Sequence, residues 1–426
     1  MIIHIASQGE TLALLARVYS VSTQRIISDN GLLHPYTLTF GQALIITQPA
    51  VVYRVKPGDS AYSIAVSESI TVQELYQNNP ELSYGEPLYD GQLLTIRFWG
   101  SKENTLVISG YAYPYINPYI FQRTLPFLTY LAVFSYRFAD DGSLIPLDEN
   151  SMISQARAHR VQPLLVLAPL DEEENFSSQL VQTLLENPAL QEKLLDTLIP
   201  LMAEKGYRGL DVDFEYIPGE NAADYVAFLQ RAKERLHANQ MILSVAIAPK
   251  TSANQPGLLY EGLDYKAIGQ VVDQALIMTY EWGYAHSQPR AVAPIDQVRL
   301  VLEYAVTEIP PEKILLGIPN YGYNWTLPFH PETDRAKSIG NQEAVELATT
   351  FGAVIEYDEN AQAPHFQYTQ NGTTHEVWFE DVRSIQAKYN LAEEFGLKGA
   401  GYWNLMRPFA QNWAFLSTQY HIKKLV

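Results

Sequence analysis

Cysteine is absent from the 426 residues. That excludes disulfides, thiolate metal sites, iron–sulfur clusters and a cysteine nucleophile, without fixing a compartment. Basic residues are scarce: 29 Lys and Arg stand against 47 Asp and Glu, a formal charge of −18. Nucleic-acid binding needs clustered cations on phosphates, so no nucleic-acid partner is expected. Long apolar runs are missing too. No uncharged stretch reaches the roughly 18 residues a membrane-spanning helix needs, so no membrane partner is expected. The N-terminus has no Lys or Arg before Arg17, and Gln8, Gly9 and Glu10 interrupt its apolar run. A secretory signal would need a basic start and an unbroken apolar segment, so none is expected. What is present is a globular composition, 47% hydrophobic and 18% charged, with length for two or three domains. Tyr (28) and Trp (6) are abundant. Their flat faces with one polar edge suit sugar rings, and many also suit a core.

The chain opens with an internal repeat at an offset of 49 residues. Gln8-Gly9-Glu10-Thr11 aligns with Pro57-Gly58-Asp59-Ser60, and Asp29-Asn30 with Asn78-Asn79. At an offset of 50, Gly41-Gln42-Ala43-Leu44-Ile45-Ile46 aligns with Gly91-Gln92-Leu93-Leu94-Thr95-Ile96. Each unit reads as strand, Gly turn, two helices and closing strand, a βααβ domain. Thr11 and Ser60 are good N-caps, because a side-chain oxygen can take an orphan helix N–H. The units are placed at 1–48 and 49–98.

From residue 99 to 426 the pattern changes. Eight short apolar runs alternate with helical stretches: Thr105–Gly110, Leu128–Phe134, Pro163–Ala168, Gly209–Phe214, Ile242–Ala248, Ala275–Tyr280, Ile314–Pro319 and Gly399–Trp403. Strands without polar alternation are buried on both faces, as parallel strands are. Eight of them with intervening helices, such as Ala222–Ala238, give an α/β fold, a (β/α)8 TIM barrel. The last two runs lie too far apart for one βα unit. The stretch between them alternates and carries Asn371-Gly372, a hairpin signal. An α+β insertion is therefore placed at about 325–380.

The fourth run ends Asp211-Val212-Asp213-Phe214-Glu215. Alternation puts the three acids on one face, opposite Leu210, Val212 and Phe214. In a barrel, chemistry sits at the C-terminal strand ends. Clustered carboxylates raise one another's pKa, as a general acid working near neutral pH requires. From the residues alone, a divalent-cation site and a solvated acidic edge remain alternatives. The nine His show no metal spacing.

These motifs match known families. The repeats, with their Gly-acid-Ser/Thr start, their Asn after the second helix and their Gly-Gln-x-Leu-x-Ile finish, resemble the LysM module. The first departs from it at Gln8 and Glu10. The resemblance implies binding of N-acetylglucosamine-containing glycans such as peptidoglycan and chitin. The segment Gly209–Glu215 resembles the Asp-x-Asp-x-Glu signature of glycoside hydrolase family 18, the chitinases and their relatives. Met278-Thr279-Tyr280-Glu281, Gly317-Ile318-Pro319-Asn320-Tyr321-Gly322 and Gly401-Tyr402-Trp403 match the family at the ends of strands six, seven and eight. Two departures are Arg208, where an Asp is frequent, and Glu281, where most chitinases have Asp. The whole chain resembles the cortical-fragment-lytic N-acetylglucosaminidases of spore-forming bacteria. That implies a spore location at the coat–cortex boundary, synthesis in the mother cell, a monomer, and action on cortex during germination.

The family implies retaining, substrate-assisted hydrolysis. Glu215 is then the proton donor, Asp213 orients and stabilises the substrate acetamido group, Asp211 tunes Asp213, and Tyr280 holds the acetamido carbonyl. No cofactor or metal is called for. Trp403 is expected as the floor under the sugar, Tyr111 and Trp282 as walls, and Glu281 and Asn320 as contacts to sugar hydroxyls. Rival readings are a chitinase, a transglycosylase and a glycan-binding coat protein with an inactive barrel. Intact Asp213 and Glu215 weigh against the last.

Overall fold

The computed structural model describes residues 1–33, 36–82 and 87–425. Each repeat is a small βααβ unit. In the first, strands Ile2–Ile5 and Ala43–Ile46 pair antiparallel around helices Leu12–Tyr19 and Thr23–Asn30. In the second, Pro49–Arg54 pairs with Leu93–Phe98 around helices Ala61–Ser67 and Val72–Asn78. The recurring Asn has one job in both. Asn30 Nδ2 donates to Ile26 O and Ile45 O while its Oδ1 accepts from Ile45 N. Asn79 does the same with Leu75 O, Thr95 O and Thr95 N. A buried amide thus satisfies helix end and closing strand together, and an aliphatic residue there would orphan three backbone groups. The caps are as expected: Thr11 and Ser60 accept from Leu14 N and Ser63 N.

The eight barrel strands are Asn104–Ala112, Tyr130–Phe138, Gln162–Leu167, Gly209–Asp213, Ile242–Ile247, Gln274–Ile277, Ile314–Pro319 and Gly399–Trp403. Each pairs in parallel with the next, and the eighth returns to the first. The first two strands run further than their apolar runs, because Tyr111, Tyr136 and Phe138 are large, buried and aromatic. The sixth stops at Ile277, three residues before Tyr280. Tyr130, Ala132, Leu164, Val166, Ala246, Leu276 and Leu315 fill the barrel interior. Gly401 leaves room for that filling, since a Cβ there would stand 2.0 Å from Leu276 Cδ1. A second apolar layer joins the strands to the helices, with Phe214 stacked on Phe228 at 5.7 Å between centroids.

Between the seventh and eighth strands lies a five-stranded antiparallel sheet with helix Asn341–Phe351. It starts at Gly322, directly off the seventh strand, and its last strand ends at Trp378. Asn371 and Gly372 form its two-residue hairpin loop, both at positive φ (52° and 81°), as a type I′ turn requires. The C-terminal helix Ala410–Gln419 packs against the second helix of each repeat, seating the pair on the barrel. Among the described residues no helix is long and apolar enough to cross a membrane.

Candidate active site

The fourth strand delivers the acids. Asp211 and Asp213 point inward near its C-terminal end and are 1% and 4% exposed. Glu215 lies two residues past the strand and is half-buried. Leu210, Val212 and Phe214 anchor the opposite face in the outer apolar layer. The residue after Glu215, Tyr216, is left-handed (φ 57°), and so is Glu281 after Tyr280 (φ 68°). Such non-glycine conformations cost roughly 1–3 kcal/mol and persist only where packing dictates them.

The electrostatics differ along the cluster. Tyr111 Oη donates to Asp211 Oδ2 at 2.6 Å. Burial raises the Asp211 pKa, while hydrogen bonds from Ser244 and Tyr111 pull it back. Asp213 is pushed well above the carboxylate range by burial, then by Glu215 and Asp211. Its Oδ1 has no hydrogen-bond partner among the described residues. Glu215 is raised to about 7 by burial and by the charge of Glu281. Tyr280 is buried, and desolvation followed by the charges of Asp213 and Glu215 keeps its phenol neutral. Among the described residues no cation forms an ion pair with any of the three acids, and no group of three or more His, Asp or Glu converges as metal ligands would. Close carboxylates without a counter-cation share protons, leaving one able to donate near neutral pH.

Above the cluster Trp403 ends the eighth strand. Its ring meets Phe134 (4.9 Å), Tyr111 (5.6 Å) and Tyr113 (6.2 Å), mostly edge-on. With Tyr113 and Tyr115 it lines two hollows. One, of about 600 Å³, is lined by Tyr113, Tyr115, Phe134, Arg137 and Glu174. The other, of about 410 Å³, is lined by Glu281, Tyr321, Tyr323 and Arg407. The three acids line neither hollow; they connect to them through Trp403, whose ring meets the Tyr111 that holds Asp211, and through Glu281, which lines the second hollow and is the charged neighbour of Glu215.

Residues 101–407 match Glycosyl hydrolases family 18. The chain belongs to this family. Residues 4–47 and 53–97 of this family-18 chain match the LysM domain. The cortical fragment-lytic enzyme of Bacillus anthracis is 38% identical over 426 residues, 98% of this chain and 97% of the relative. That of Bacillus subtilis is 41% identical over 300 residues, 70% and 69% of the two chains. The crystal structure of the spore cortex-lytic enzyme SleL from Bacillus megaterium QM B1551 superposes with a TM-score of 0.84 at 37% identity, covering 100% of this chain and 99% of that one.

The family-18 barrel brings Asp211, Asp213, Glu215, Tyr280, Glu281, Tyr111 and Trp403 to one end. Tyr111 stands behind Asp211, buried, and so holds an acid more than it forms a wall. Asn320 is 2% exposed, and its amide donates to Asn404 O (2.9 Å) and Arg407 O (2.8 Å). It ties the seventh strand to the loop after Trp403. Trp282 is half-buried against the outer core and lines neither hollow. Tyr321, named in the sequence only as part of the strand-seven motif, and Tyr323 donate their hydroxyls to Glu281, and Tyr113 and Tyr115, which the sequence did not single out, stack at 5.1 Å along the cleft. The alternating Tyr residues after the first and seventh strands were the available signal.

Proposed function

We infer that this glycoside hydrolase cuts the β-1,4 bond after N-acetylglucosamine in spore cortex peptidoglycan fragments during germination. The observation that carries this is the acid cluster: Glu215, raised to about 7 and a charged neighbour of the cleft residue Glu281, is followed inward by two buried aspartates that have no ion-pair partner among the described residues. A protonated Glu215 donates its proton to the glycosidic oxygen and later takes one from the attacking water. The acetamido oxygen of the substrate attacks the anomeric carbon as the leaving oxygen departs, giving an oxazolinium ion. Asp213 offers its unpartnered Oδ1 to the acetamido N–H and stabilises the positive charge. Asp211, fixed by Tyr111, keeps a proton available to Asp213. Tyr280 donates to the acetamido carbonyl oxygen. Trp403 forms the floor, and Glu281 meets a sugar hydroxyl from the second hollow. The relatives named for cortical fragments and spore cortex lysis support the substrate and the spore location. The two LysM units hold the monomeric enzyme on glycan and raise local substrate concentration.

Product analysis tests this reading. Soluble cortex fragments are digested with wild type and with Glu215→Gln, reduced with borohydride and identified by mass spectrometry. Reduced N-acetylglucosamine ends are expected from wild type alone, with turnover in the variant down about 10²–10⁴-fold. Reduced muramic ends would break the acetamido mechanism, and cleavage of chitin oligomers without cortex would transfer the site to chitin.

A further inference from the structure

The two hollows of the cleft share Trp403, Tyr113 and Tyr115, and each adds one cation to them. Arg137 lines the first and Arg407 the second, with no Lys lining either. Cations are the scarcer charge in this chain, 29 Lys and Arg against 47 Asp and Glu, yet neither of these two is paired with an acid. Among the described residues the arginine ion pairs fall at Arg25, Arg231, Arg235, Arg299 and Arg383, none of which lines a hollow.

Both side chains are half-buried and held by uncharged oxygens. Arg137 Nη1 donates to Asp171 O at 3.0 Å. Arg407 Nη1 donates to Ser338 Oγ and Ile339 O at 2.9 Å each, and its Nη2 to Ser338 O at 3.1 Å. A guanidinium carries five N–H donors in a planar fork, so donors remain on both. The acids of the hollows leave the positive charge standing. Asp148 and Glu174, on the first hollow, are exposed, where water and salt screen them. Glu281, on the second, has its carboxylate taken by the hydroxyls of Tyr321 and Tyr323. A fixed guanidinium without an ion-pair partner is the group that recognises a carboxylate, through charge-assisted bonds in a planar fork.

The geometry points to Arg137 and Arg407 as specificity-determining residues, each taking a carboxylate carried by a sugar that flanks the N-acetylglucosamine at the cut. This deepens the cortex reading above and rests on it. In an alternating glycan both neighbours of an N-acetylglucosamine are muramic residues. The O3 of each carries a lactyl group that ends in a carboxylate, or in a short peptide that has one. A glycan crossing Trp403 enters both hollows, so one arginine in each matches that alternation. Chitin oligomers carry no carboxylate and a muramic lactam has lost its own, so neither makes these contacts.

Turnover of soluble cortex fragments by the full chain tests the two arginines. One portion keeps its carboxylates; in the other they are capped as methylamides with carbodiimide and methylamine, on the same glycan. Wild type should cut the acidic portion with a kcat/KM at least about tenfold higher, and added salt should erode that preference. Arg137→Gln should lower the ratio at least about threefold, and Arg407→Gln likewise. Arg137→Gln, which gives up a single hydrogen bond to the protein, carries the test if Arg407→Gln fails to fold. Fragments freed of peptide by an amidase, set against peptide-bearing ones, tell the lactyl carboxylate from a peptide terminus: the source is the arm in which Arg137→Gln lowers the ratio more. Equal kcat/KM on the acidic and capped portions in wild type, or a preference that survives Arg137→Gln undiminished, overturns the inference while the cortex reading stands. Cleavage of chitin oligomers with neither portion cut would sink both.

Discussion

The junction of the two repeats and the mouth of the barrel each bury an aspartate, and they treat it in opposite ways. At the junction Asp29 is 1% exposed and faces Arg25: Nε to Oδ2 is 2.8 Å, Nη2 to Oδ1 is 2.8 Å, and Thr47 donates at 2.5 Å. The same guanidinium reaches Asn78 O of the second repeat at 2.7 Å and lies over Phe98 at 4.9 Å. At the barrel mouth Asp213 is as deeply buried, has acids for neighbours, and leaves Oδ1 without a partner. A paired buried charge ties two modules together. An unpaired one is a poised proton site whose cost the surrounding barrel bears. The difference lies in what stands opposite the acid, and burial alone does not reveal it.

Substituting the acid at the mouth should produce the largest effect. Asp213→Asn removes the charge that stabilises the oxazolinium ion, so kcat on soluble fragments should fall about 10²–10³-fold. The same change should not destabilise the fold. Asp213 has a folded-state pKa raised above its unfolded value, so the protein loses stability as pH rises through that raised pKa. The Asn variant escapes this loss. Urea denaturation at pH 8 should show it at least as stable as wild type, with the gap closing toward pH 4. A variant that is inactive because it is unfolded would undo the comparison.

At the junction the order reverses. Arg25→Met leaves Asp29 buried and unpaired, with an expected loss of about 3 kcal/mol at pH 8. Burial already raises the Asp29 pKa, with Arg25 and Thr47 pulling it back; without Arg25 it rises further, Asp29 takes a proton more readily, and the loss should shrink as pH falls toward 4. Turnover of soluble fragments by surviving folded protein should match wild type. Equal destabilisation at both pH values would mean that lost packing on Phe98, and not charge, dominates.

This contrast also explains what the sequence made legible. Periodicity and spacing located the two βααβ units, the eight parallel strands and the insertion with its Asn371-Gly372 hairpin, because each depends on local pattern. Asp211, Asp213 and Glu215 were legible because strand alternation places them on one face. The limits are equally physical. Glu215 was read as part of the strand, and the left-handed Tyr216 that follows it has no sequence signature. Asn320 resembled a sugar contact, yet its amide is held by two backbone carbonyls 84 and 87 residues further on. The seat of the repeats on Ala410–Gln419 and the Arg25 bridge join segments distant in sequence, so no window contains both halves.

The finest test concerns Glu281, the acid that joins cleft to cluster. Its carboxylate accepts from Tyr321 and Tyr323, and its charge helps raise Glu215 to about 7. Glu281→Gln keeps an oxygen for both tyrosines and deletes only the charge. With that repulsion gone the ionised form of Glu215 is less disfavoured, so its pKa falls and less of it is protonated at pH 7. Because the free enzyme's acid governs the alkaline limb of kcat/KM, that limb, expected near pH 7 in wild type, should move to lower pH. The value at the acidic plateau should change less than about tenfold, since no proton donor is lost. A limb that stays in place while KM rises would make Glu281 a sugar contact with no part in tuning Glu215. A limb that moves while KM holds would make it a positioning residue that acts through its charge alone.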